Sequence, residues 1–81
     1  MNLPLQSWTG VLERRRLAAG SKSERQGLVL CLDGGQVLPV RRLGGHVFRD
    51  EVLEALLGRR LLVQARQLES GVLQIESWTA L

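Results

Sequence analysis

Leu28-Val29-Leu30-Cys31-Leu32-Asp33-Gly34-Gly35-Gln36-Val37-Leu38-Pro39-Val40-Arg41-Arg42 is the stretch whose reading sets the architecture. An apolar run of strand length ends in Asp-Gly-Gly, and a second extended run follows at once. Asp and Gly accept positive φ, so the segment reads as a β-hairpin, with strand two over 28–32 and strand three over 36–42. Pro39 lacks a ladder donor, which predicts that strand three lies at a sheet edge or is bulged there.

On the N-terminal side, residues 18–27 form a polar loop with no apolar periodicity. Strand one precedes it, from about Ser7 to Leu17, and Gly10 inside it marks a bulge or a sharp bend. On the C-terminal side, Leu43-Gly44-Gly45-His46 breaks the pattern. Asp50 then reads as a helix N-cap, with Glu51 and Glu54 in the first turn where the helix dipole favours acids. Val52, Leu53, Leu56 and Leu57 keep helical spacing and Gly58 stands at C′, which predicts a helix of about two turns. Strand four alternates Leu61, Val63 and Ala65 with Leu62, Gln64 and Arg66. Glu69-Ser70-Gly71 is a tight turn, and strand five alternates Leu73 and Ile75 with Val72, Gln74 and Glu76. Ser7-Trp8-Thr9 recurs as Ser77-Trp78-Thr79, too short for a structural repeat but consistent with strands at either end of one sheet.

The 81 residues, 44% hydrophobic and 23% charged, fit a single globular domain over 1–81 rather than a disordered chain. No apolar run approaches the roughly 20 residues of a membrane span. Met1 to Leu5 has neither the basic nor the apolar region of a secretory signal, and the single Cys31 excludes an internal disulfide. The expectation is a cytoplasmic protein with no membrane association.

Catalysis is tested by inventory. A nucleophile needs a base within reach and a third group to orient it. The single His46 lies in a Gly-rich loop, and the single Cys31 lies between leucines as a small apolar residue whose pKa nothing obvious lowers. Together they fall short of the ligand set of a zinc site, and Gly44-Gly45 lacks the spacing of a phosphate loop. No enzyme activity, cofactor or metal is expected.

Charge carries more. Residues 1–49 hold eight Lys/Arg against three acids and residues 50–81 three against five, balances of +5 and −2 that give the net +3. All the basic residues but Lys22 are arginines, whose fork can hold a phosphate bidentately. A basic half beside an acidic half points to one anion-attracting face. A solvated face, produced by arginine-rich composition alone, is the competing reading.

The order strand–strand–strand–helix–strand–strand, with a long first loop, Gly10 in strand one, the Asp33-Gly34-Gly35 hairpin and Gly58 before strand four, resembles the OB-fold superfamily from about Trp8 to Trp78. That fold is a mainly β, five-stranded Greek-key barrel with one helix between strands three and four. An SH3-like barrel, the main competitor, normally lacks such a helix. The resemblance implies that a ligand lies across strands two and three, flanked by the loops joining strands one to two and four to five. Lys22 and Arg25 then sit in the first of those loops, Arg41 and Arg42 end strand three, and Arg14, Arg15 and Arg16 feed the same loop.

The expected function is non-enzymatic binding of an anionic partner, chiefly single-stranded RNA or DNA, weakly and with little sequence preference. Arg14, Arg16, Lys22, Arg25, Arg41 and Arg42 are the expected phosphate contacts, with Arg14 and Arg16 preferred over Arg15 because they alternate onto one face. Aromatic content limits the affinity. Only Trp8, Phe48 and Trp78 are present; the tryptophans are expected to seal the core and Phe48 to anchor the loop before the helix. The alternative is a protein partner or a second copy held on an apolar patch of Leu43, Val47, Leu62 and Leu68, which fall outside the inward alternation.

Overall fold

The computed structural model describes residues 3–17, 25–44 and 51–81, with the backbone alone at Arg16, Leu17, Arg25 and Gln26. Alternation turns the chain into strands: Leu61, Val63 and Ala65 are buried while their neighbours Arg60, Leu62, Gln64 and Arg66 are not. The elements are β1 (Gln6–Leu17), β2 (Arg25–Leu32), β3 (Val37–Arg42), α1 (Glu51–Glu54), β4 (Arg60–Gln67) and β5 (Leu73–Ala80). The protein is mainly β. Its strands hydrogen-bond in the order β1-β2-β3-β5-β4, and β4 pairs back onto β1 to close a ring. Every pairing is antiparallel except that of β3 with β5.

Inside the ring, Leu12, Leu30, Val40, Leu61, Val63, Ala65, Leu73 and Ile75 form one core with Leu53 of α1. Removing each such leucine from water contributes about 1.5–3 kcal/mol. Leu53 is 1% exposed, and Leu56 and Leu57 pack beside it, so α1 acts as a plug for the ring.

The predicted two-turn helix is shorter. Ala55 N–H donates to the Glu51 carbonyl in the α pattern, but Leu56, Leu57 and Arg59 make tighter i→i+3 turns to Leu53, Glu54 and Leu56. Tertiary pairing explains the stop. Gly58 takes φ 80°, and its N–H donates to the Leu12 carbonyl at 2.7 Å, drawing the chain into the β1–β4 ladder. The expected N-cap Asp50, with Val47, Phe48 and His46, lies outside the described residues.

Both short hairpins use the same device. Gly35 N–H donates to Leu32 and Leu32 N–H to Gln36; likewise Gly71 N–H donates to Leu68 and Leu68 N–H to Val72. The positive φ falls on the third loop residue, Gly35 at 99° and Gly71 at 91°, as in a three-residue loop closed by a left-handed glycine. Gln36 closes the loop opposite Leu32, and β3 itself runs from Val37, one residue later than the sequence placed it.

Gly10 is the joint of β1. Residues 6–11 pair with β4 and residues 10–17 with β2, so Gly10 carries both ladders. A Cβ there would lie 2.3 Å from the Cys31 carbonyl oxygen, a distance only glycine tolerates.

Pro39 corrects another expectation: β3 is no edge, because β2 flanks it on one side and β5 on the other. The β2–β3 register ends at Val29↔Pro39, and the β3–β5 register begins at Val40. Since Leu32 N–H bonds Gln36, alternation makes Leu30/Leu38 the hydrogen-bonded pair and Val29/Pro39 an unbonded one. The missing donor therefore falls where neither ladder requires it.

The repeated tripeptides flank one strand. Ser7, Trp8 and Thr9 face Gln64, Val63 and Leu62 from one side, and Ser77, Trp78 and Thr79 face the same three from the other. Continued alternation from Leu73 and Ile75 would have turned Ser77 and Thr79 inward. A β-bulge intervenes: Gln64 pairs with Ser77 but Ala65 with Ile75, leaving Glu76 as the extra residue. Trp78 thereby joins Trp8 against the core, and the Trp8 indole donates to the Ala65 carbonyl at 3.3 Å.

Candidate functional site

Register decides which side chains face out. Leu12 opposes Leu30, so Arg14, two residues on and opposite Leu28, shares their inward side at the rim of the ring. Its guanidinium meets the Glu54 carboxylate at 2.5 Å, tying β1 to the plug. Val11, Glu13 and Arg15 take the opposite, outer side. On β2 that side carries Val29 and Cys31, and on β3 Val37, Pro39 and Arg41.

Two rows cross this outer face. Val11, Cys31 and Val37 lie side by side, then Glu13, Val29 and Pro39. Val37 is 42% exposed, whereas Val29 is only 2% exposed despite pointing away from the core cluster. Beyond the second row, Arg15 stands opposite Gly27, and Arg41 lies two residues past Pro39 on the same face. The face is an apolar strip with guanidinium groups at one end.

Its one acid is held locally. The Cys31 thiol beside it, with Arg15, draws the Glu13 carboxyl below its ordinary value. Arg15 reaches Glu13 at 3.4 Å. Burial, then the same Glu13 contact, pushes the Cys31 thiol up, so it stays protonated and weakly nucleophilic. Cys31 is therefore a half-buried outer-face residue beside the Glu13 carboxylate. Arg41 differs from Arg14 and Arg15: it is exposed and has no ion-pair partner among the described residues.

The expected contacts thus separate. Arg41 and Arg15 share the outer face, Arg14 is bound to Glu54, and Arg42 is half-buried on the inward phase of β3. The backbones of Arg16 and Arg25 belong to the β1–β2 ladder, opposite Gln26 and Leu17, while Lys22 lies outside the described residues. Arg15 was the residue passed over. The signal was present in Leu12, an obvious core residue in phase with Arg14.

No known protein family, curated protein or solved structure matches the chain. Among the described residues, no three His, Cys, Asp or Glu side chains gather as metal ligands, and no helix is long and apolar enough to cross a membrane.

Arg60 and Arg66 serve the scaffold. Arg60 grips Asp33 with Nη2 to Oδ2 at 2.5 Å and Nε to Oδ1 at 3.4 Å, clasping the β2–β3 turn to the start of β4. That contact holds the Asp33 carboxyl below its ordinary value. Arg66 joins Glu76 at 2.6 Å and also donates to the Leu3 carbonyl. Of the expected apolar patch, Leu43 is 51% exposed, Leu62 and Leu68 are half-buried, and Val47 lies outside the described residues.

Proposed function

We propose that the chain is a non-enzymatic, OB-type binding domain that holds single-stranded nucleic acid on the outer face of β1, β2 and β3. The strand order β1-β2-β3-β5-β4 with a helix before β4 supports the OB-type reading. The observation that carries the function is Arg41, an exposed guanidinium without an acidic partner among the described residues, beside the apolar rows of Val11, Cys31, Val37 and Pro39. Phosphates would meet Arg41 and Arg15, while bases would lie against the strip beside them. Trp8 and Trp78 pack inward, so the described residues offer no aromatic platform and binding is weak.

Fluorescence anisotropy of a labelled mixed-sequence oligonucleotide, at about 50 and 300 mM salt, tests the reading. Binding that collapses with salt, and that weakens in Arg41→Ala, supports it. Binding indifferent to salt removes it. A second reading is favoured by exposed Val37 and Leu43, which could seat a protein partner; such an apolar contact persists or strengthens at high salt.

A further inference from the structure

Arg41 of β3 and Gln74 of β5 are cross-strand neighbours on the parallel seam of the ring. Both take the outer side, because Val40, Leu73 and Ile75 take the inner one. Among the described residues neither side chain holds a hydrogen bond or an ion pair. Arg66 follows on the same row, opposite Gln74 from β4, but its guanidinium is already held by Glu76. The row therefore offers one unspent guanidinium beside one unspent carboxamide, and the acid nearest in register is occupied.

That pairing has a definite chemistry. A guanidinium presents parallel N–H donors that match two oxygens of a phosphate, and a neighbouring carboxamide N–H can donate to one of them from the side. Gln74 is half-buried, so ordering its side chain costs less than ordering a fully exposed one. We infer that Arg41 and Gln74 form a subsite for one phosphate of a nucleic-acid strand, which leads the strand off the β1–β2–β3 face and across the β3–β5 seam. The inference rests on the nucleic-acid reading and adds a residue and a direction to it.

Charge separates the two contributions. Arg41→Gln removes a cation and lowers the steepness of the salt dependence by about 0.7 in log–log slope, the counterion release of one single-strand phosphate contact. Gln74→Ala removes a neutral donor, weakening binding about threefold to tenfold at every salt concentration with the slope unchanged. Gln74→Glu sets a carboxylate beside Arg41 and weakens binding further. Measured with the full chain and a labelled oligonucleotide, these three results support the subsite. Wild-type affinity in both Gln74 variants overturns it while leaving the proposed face intact. Should the oligonucleotide bind nowhere, the nucleic-acid reading falls. The subsite then depends on inorganic phosphate, which must shift the Gln74 carboxamide and the Arg41 Nε–H together in an NMR titration, and it falls if they stay still.

Discussion

Gly10 and Gly34 show how differently two glycines can matter. At Gly10 an added methyl would press on the backbone of Cys31, whereas at Gly34 it would meet open space on ordinary backbone. Gly10→Ala should cost at least about 3 kcal/mol in chemical denaturation. Gly34→Ala should be neutral or stabilise by up to about 1 kcal/mol. The Asp33–Arg60 clasp makes a prediction in pH. Because Arg60 lowers the folded-state pKa of Asp33, the contribution is complete above the ordinary aspartate value of about 4 and is lost as pH falls through the depressed one. An NMR titration should find the Asp33 carboxyl titrating low, and back in the ordinary range in Arg60→Gln. Some of this was legible beforehand. Gly10 announced a joint in β1, but its reason is a carbonyl oxygen on another strand, which no local pattern encodes. The choice of Arg14 over Arg15 followed alternation correctly but anchored it to charge, when buried Leu12 fixes the phase.

Strands were easier to read than the helix. Alternating Leu61, Val63 and Ala65 has one stable solution, a strand with that side in a core. The stretch 51–58 carries a helical pattern that competes with the Gly58–Leu12 hydrogen bond, and the ladder keeps α1 to one turn. Short as it is, α1 fills the ring through Leu53. Leu53→Ala should cost about 2–5 kcal/mol, while the amide NMR pattern of the five strands persists. An unchanged denaturation midpoint would deny α1 its role as a plug. Pro39 points in sequence to an edge or a bulge because an interior strand normally bonds on both sides. It is tolerated inside the ring because β3 changes partners between Pro39 and Val40. The bulge at Glu76 was equally invisible, since it depends on how β5 meets β4.

For the molecule as a whole, closure of the ring separates an inner face that carries stability from an outer face on which the proposed site lies. Both tryptophans are committed to the inner face. Intrinsic fluorescence should therefore change little when an oligonucleotide binds; strong quenching would place a base against Trp8 or Trp78 and contradict the assignment. The outer face divides in turn. Across β1–β4–β5 it carries Ser7, Gln64 and Ser77 in one row, with Gln64 and Ser7 bonded to each other, whereas across β1–β2–β3 it carries the apolar strip and Arg41. The central claim is that nucleic acid chooses the second region. A 15N–1H NMR titration with a mixed-sequence single-stranded oligonucleotide, at about 50 and 300 mM salt, tests it most directly. The expected result is low-salt shifts at Val11, Arg15, Cys31, Val37 and Arg41 that vanish at high salt. Shifts centred on Ser7, Gln64 and Ser77, or none at all, would contradict it.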